Sequence, residues 1–201
     1  MKAIWTRIEA WFRLNAPDMV GEFQPPASNR HINLLEDTVG VRLPEEMEQS
    51  YKIHDGSWAL RMFPGGNLLG IQGIIKEWRK WQEVSESGAF ADWKAKPKGP
   101  IKQAHWNPRW LPLTTCGSGD GYYADLDPAP GGHFGQVIEF ETGTGPVRVV
   151  ATGFAEWLSL YASDLEAGRY VFEPPFEMVE AREPAAPGAS FGEDRSSGGR
   201  Q

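Results

Sequence analysis

In the segment Trp110-Leu111-Pro112-Leu113-Thr114-Thr115-Cys116-Gly117-Ser118-Gly119-Asp120-Gly121-Tyr122-Tyr123-Ala124-Asp125-Leu126-Asp127, two apolar, aromatic runs flank a loop of glycine, serine and aspartate. Trp110–Thr114 and Tyr122–Asp127 read as strands, and residues 116–121 as the tight turn that joins them. On the C-terminal side, Phe134–Glu141 and Val147–Ala151 form a hairpin around Thr142-Gly143-Thr144-Gly145-Pro146. A helix near 153–167 follows, with Phe154, Trp157, Leu158, Tyr161 and Leu165 on its inner face and Gly168 as its stop. From Glu173 the chain is rich in Pro, Gly and Ser, which predicts a disordered tail over 173–201.

Toward the N-terminus, 85–104 is polar and lysine-bearing (Lys94, Lys96, Lys98, Lys102) and reads as an exposed loop. Ile74, Ile75, Trp78, Trp81 and Val84 predict a short helix. Ser57–Phe63 and Asn67–Ile71 read as strands around Pro64-Gly65-Gly66. Three helices come first. One spans about 2–14, with Ile4, Trp5, Ile8, Trp11 and Phe12 at helical spacing. A second runs from an N-cap at Ser28 to a stop at Gly40. A third starts at Pro44, with Glu45 and Glu46 in its first turn, and ends at His54-Asp55-Gly56. Strands linked by short turns, with helices before and after, give the α+β class. The expected architecture is a central antiparallel or mixed sheet flanked by helices, in a single domain over 1–172.

The chemistry-bearing residues form no catalytic kit. Asp120, Asp125 and Asp127 supply oxygen ligands of the type a hard cation takes, but an EF-hand needs a denser ligand run and a bidentate Glu, and both are missing. Cys116 in its glycine-rich loop suggests a thiol nucleophile with His105 or His133 as base. Its surroundings are acidic, and a strand rather than a helix follows, so the thiol lacks an activating field. Gly117-Ser118-Gly119-Asp120-Gly121 carries no following Lys-Ser/Thr and opens no helix, which excludes a phosphate loop. The four His residues show no metal-ligand spacing. No metal, cofactor or catalytic residue is expected. The reading is a non-catalytic binding domain, with Asp55, Trp78, Trp81, Asp120, Asp125 and Asp127 as partner-facing candidates. For Trp78 and Trp81 core packing is the favoured alternative, because Ile74, Ile75 and Val84 complete an apolar stripe.

A net charge of −7 disfavours nucleic acid and anionic lipid as partners and favours a basic protein. A single cysteine, no apolar run of membrane-spanning length and no signal-type N-terminus point to a reducing cytosolic setting.

Several strings, in their order, resemble the Smi/Knr cell-wall-assembly-regulator family of the SUKH superfamily. They are Leu43-Pro44-Glu45-Glu46, His54-Asp55-Gly56, Trp110-Leu111-Pro112-Leu113, Gly119-Asp120-Gly121, Asp125-Leu126-Asp127-Pro128, Gly131–Ile138, and the last helix with Phe154 and Trp157-Leu158. The resemblance implies an α+β protein-binding scaffold with no shared active site. It further implies, as the leading function, an immunity protein that neutralises a basic bacterial toxin such as a nuclease. The alternatives are a regulatory adaptor in cell-wall or envelope assembly and, last, a hydrolase using Cys116 or an Asp120/Asp125/Asp127 metal site.

Overall fold

The computed structural model describes residues 1–59, 61–90, 93–173 and 177–180. Helix α1 (Lys2–Asn15) buries Trp5, Ile8 and Phe12, the inward positions of its period. A 3-10 turn (Pro17–Glu22) leads to α2 (Asn29–Val39). Ser28 caps α2 by accepting the His31 N–H at 3.2 Å, and Gly40 ends it at φ +66°. Pro44 precedes α3 (Glu45–Tyr51), whose Met47 and Tyr51 are buried. Helices α4 (Ile71–Glu86) and α5 (Phe154–Glu166) lie on either side of the main sheet in sequence.

Both later helices begin at a glycine, Gly70 and Gly153, which has no side chain to cap with. Their first amides are capped from a distance instead. Asp55 Oδ1 accepts the Ile71 N–H at 2.7 Å, and Glu46 Oε1 accepts the Phe154 N–H. A Cβ at Gly70 would sit 2.3 Å from the Asp55 carbonyl oxygen, and one at Gly153 2.4 Å from Glu46 Oε1. Glycine therefore admits the remote carboxylates, whose charge also suits the positive end of each helix.

Strands β2 (Trp110–Pro112), β4 (Gly121–Asp125), β5 (Gln136–Glu141) and β6 (Gly145–Ala151) form an antiparallel sheet in that order. A separate pair joins β1 (Asn67–Leu68) to β3 (Thr114–Thr115). Period-two alternation directs Leu111, Ala124, Val137 and Ala151 to the helical core with Trp5, Ile8, Met47 and Phe154. The opposite face carries Trp110, Tyr123, Ile138 and Phe140 into a second core with Trp81, Ile101 and Trp106. Trp78 packs against both.

That second core corrects the reading of 85–104 as an exposed loop. Ser85 and Glu86 belong to α4, and Ala95 and Ile101 are buried. The Lys98 N–H donates to the Val147 carbonyl at 2.8 Å, so the segment shields the edge of β6 while its lysine side chains point to water. Ser57–Phe63 is likewise no strand among its described residues. Ser57 bridges to Phe23, Phe63 to Gly66, and the Met62 carbonyl accepts from the Tyr161 hydroxyl rather than from a ladder partner. Ile71, expected to end a strand, opens α4 because Asp55 caps it. In the expected tail, Glu177–Glu180 (β8) pairs antiparallel with Tyr170–Glu173 (β7), the run of aromatic and β-branched residues just before it. Residues 174–176 and 181–201 of that tail lie outside the described residues.

Candidate functional site

The loop between β3 and β4 is tied down at nearly every polar atom. Asp120 Oδ1 accepts the Thr142 N–H at 2.7 Å, and its Oδ2 accepts the Ser118 hydroxyl at 2.8 Å. Thr142 Oγ1 donates back to the Ser118 carbonyl at 2.8 Å, and the Tyr123 hydroxyl to the Gly119 carbonyl at 3.0 Å. The Thr142 amide, and then Ser118, hold the Asp120 carboxyl below its ordinary range. Asp120 thus bolts this loop to the β5–β6 turn. Cys116 is exposed, with Ser118 Oγ at 3.0 Å and the Asp120 carbonyl at 3.6 Å as the partners of its Sγ. Among the described residues no base lies within hydrogen-bond reach of the thiol.

Asp125 and Asp127 are placed differently. Asp125 is completely buried and accepts three hydrogen bonds, from Trp110 Nε1, the Asp127 N–H and Gln136 Nε2, each at 2.9 Å. Burial pushes its carboxyl above the ordinary range, against the pull of those donors. Asp127 pairs with Lys102 and accepts from Asn107 Nδ2 at 3.0 Å, and these partners lower its carboxyl. The three aspartates occupy three structural posts. Among the described residues no group of three or more His, Cys, Asp and Glu side chains is arranged to hold a metal.

The other candidates divide the same way. Asp55 caps α4, and burial raises its carboxyl. Trp78 is half-buried, its Nε1 donating to the Pro108 carbonyl at 2.8 Å. Trp81 is buried, with one edge lining a groove against the 117–119 loop. That groove, about 360 Å³, lies between α4 and Gly117-Ser118-Gly119 and is lined chiefly by Trp81, Val84 and Phe90 with Lys80 at its rim. On the other side of the loop is a second groove of about 420 Å³, bordered by Cys116, Asp120, Tyr122, Glu139 and Glu141. Of the six candidates, only Trp81 and Asp120 line either groove, so the structure gathers a surface around the loop rather than a cluster of the residues named from sequence.

With this geometry in place, comparison with known proteins settles the ancestry. The sequence profile of the SMI1 / KNR4 family (SUKH-1) matches residues 26–160. The chain belongs to this family. It is similar to the glucan synthesis regulatory protein of Neurospora crassa, at 27% identity over 89% of this chain and 41% of the relative. It is also similar to the cell wall assembly regulator SMI1 of Saccharomyces cerevisiae, at 25% identity over 83% and 40%. A third relative is the cell wall biosynthesis/cell cycle regulator smi1 of Schizosaccharomyces pombe, at 29% over 84% and 37%. The chain spans about 40% of the length of these relatives. They are named as regulators, not as enzymes, and none of the three names carries the toxin-neutralising function. Among the described residues no helix is long and apolar enough to cross a membrane.

Within the family fold, His105 holds a place that its sequence context does not announce. It sits in a polar stretch of sequence, yet it is buried against Phe90 (ring centroids 4.2 Å apart) and Trp93 (4.8 Å) rather than placed beside the Cys116 thiol. Its Nδ1 has no hydrogen-bond partner among the described residues. No local signal marks it, because its neighbours come from α4, the following segment and β5. Burial lowers its pKa below the ordinary 6.5, partly offset by the nearby Thr142 backbone. The contribution to stability is therefore complete above pH 6.5 and is lost as pH falls toward the lowered folded value, where the unfolded chain takes the proton first. Urea midpoints measured at about pH 7.5 and about pH 5 should separate less for His105→Gln than for the native sequence. An equal separation would show that His105 does not carry this dependence.

Proposed function

We propose that this chain is a non-catalytic protein-binding domain that serves as a regulatory adaptor in cell-wall synthesis. The observation that carries the proposal is the similarity to three fungal wall regulators across 83–89% of the chain. The site chemistry supports it. Asp55, Asp120, Asp125 and Asp127, the carboxylates a hydrolase would need free, are each engaged in capping, loop-tying or pairing. What the loop leaves available is shape, in the form of two grooves of the kind that take a partner's side chains. The toxin-neutralising reading rests on the superfamily resemblance and the sign of the net charge, whereas the relatives named above are wall regulators, and an acidic chain has many other reasons to be acidic.

The test is a chimera. The matching segment of the S. cerevisiae relative is replaced by this chain in cells lacking that relative, and wall glucan content and osmotic lysis are measured. The expected result is recovery of most of the glucan lost on deletion. A chimera that accumulates to the normal level but restores nothing would reject the adaptor reading. Protection of cells against a co-expressed toxin, without any effect on wall glucan, would support the immunity reading instead.

A further inference from the structure

We infer that the groove between α4 and the 117–119 loop receives an acidic segment of a protein partner, anchored by an apolar side chain. The inference rests on the protein-binding reading above and specifies its surface. The floor is apolar. Val84 is 41% exposed, Phe90 is half-buried, and the adjacent Trp93 is 47% exposed while packing on His105 beneath Phe90. Three large apolar side chains left open around one groove form an anchoring surface rather than scattered exposure.

The rim supplies the sign. Lys80 borders this groove and the next one along α4, which Lys76 and Arg79 also line. Lys94 follows Trp93 directly, with Lys96 two residues on, and both are exposed. Lys76, Arg79, Lys94 and Lys96 have no ion-pair partner among the described residues. On the acidic side, Glu77 pairs with Lys80, Glu86 accepts from Gln82, and Glu83 remains. Along α4 the two grooves are lined by Lys76, Arg79 and Lys80 against Glu77 and Glu83, so this face carries a positive excess on a chain whose net charge is −7. Charges beyond about 8 Å are screened at physiological salt, so a short acidic segment responds to this rim, whereas a long polyanion meets the repelling remainder. The apolar floor likewise favours a peptide with a hydrophobic anchor over a phosphate backbone.

The experiment measures fluorescence anisotropy of three labelled probes against the full chain. They are a dodecapeptide alternating Asp/Glu with Leu/Phe, its lysine-for-acid twin, and a single-stranded RNA of equal length. The acidic peptide should bind, the lysine twin at least about tenfold more weakly, and added salt should weaken the acidic complex. Lys80→Glu with Lys94→Glu, and separately Val84→Asp, should each lower affinity at least about tenfold. All three sites are exposed, and unchanged thermal melts would confirm that the variants fold. Equal binding of both peptides, preference for RNA, or indifference to all three substitutions overturns the inference. So does a self-association that Val84→Asp abolishes, which would make a second copy the occupant, or binding that appears only after deletion of residues 181–201, which would make the chain's own C-terminal residues the occupant. A chimera that restores wall glucan while the acidic peptide fails to bind would reject this surface and leave the adaptor reading intact.

Discussion

Replacing Asp125 by alanine should lower the stability of the domain by about 3–5 kcal/mol, read as a drop of roughly 10 °C in melting temperature. The carboxylate is inaccessible to solvent and receives donors from three directions. Gln136 Nε2 keeps a second acceptor in the Pro100 carbonyl at 3.0 Å, so the truncation orphans chiefly Trp110 Nε1 and the Asp127 N–H. A buried donor without a partner costs about 1–3 kcal/mol, and the missing carboxyl also leaves a void. Asp125→Asn separates these effects. Its oxygen can still accept from Trp110 and Asp127, but its amide would face Gln136 Nε2. Gln136 cannot turn over cheaply, because its Oε1 accepts the His133 N–H at 3.2 Å. The asparagine variant should therefore lose about 1–3 kcal/mol, less than alanine. Denaturant melts giving both variants native-like midpoints would show that the carboxylate does not organise this part of the sheet.

Gly56→Ala should cost about as much, for a different reason. Gly56 adopts φ +87°, and a Cβ there would lie 2.5 Å from the Gly70 nitrogen, 2.6 Å from the Leu68 oxygen and 2.8 Å from the Leu69 carbonyl carbon. All three are backbone atoms, so no rotamer change relieves the clash. The chain is held on both sides. The Asp55 N–H donates to the Pro25 carbonyl at 3.2 Å, the Gln24 N–H to the Gly56 carbonyl at 3.0 Å, and the Ser57 N–H to the Leu68 carbonyl at 2.9 Å. Moving Gly56 would pull Asp55 off α4, so a loss of about 3–5 kcal/mol is expected. Gly88 provides the control. Its φ is +81°, but a Cβ there meets nothing within 4 Å, so Gly88→Ala should cost only about 1–2 kcal/mol of backbone strain. Equal losses at the two positions would mean that conformation alone, and not the close approach, makes Gly56 a glycine.

The contrast between these glycines marks how much was legible in the sequence. Helices α1 and α2 are readable to within a residue or so, because their signals are local: the Trp5/Ile8/Phe12 spacing, the Ser28 cap and Gly40. The hairpin of β5 and β6 is legible for the same reason. Where the partner is remote, sequence reading fails. Residues 57–63 have strand composition but give the Met62 carbonyl to Tyr161. The lysines of 94–102 advertise a solvated loop, while the backbone beneath them covers a sheet edge. At the candidate site, Asp120, Asp125 and Asp127 are close in sequence and of one chemistry, yet their side chains go to a turn, a core and a lysine. The groove beside α4 is assembled from Trp81, Phe90, Gly119 and Thr142, which no spacing rule connects.

The borrowed caps of α4 and α5 bear on the order of assembly. Ile71 reaches its carboxylate across 16 residues of chain, and Phe154 reaches Glu46 across 108. In both helices the first amide is capped from outside the helix, so that cap waits for α3 and the turn after it to arrive. Loop closure comes first, and only then do these helices gain their capping energy. Such remote caps couple the stability of α4 and α5 to that of the segment holding Glu46 and Asp55. A fragment ending before Gly153 would hold Glu46 at a helix that is not there.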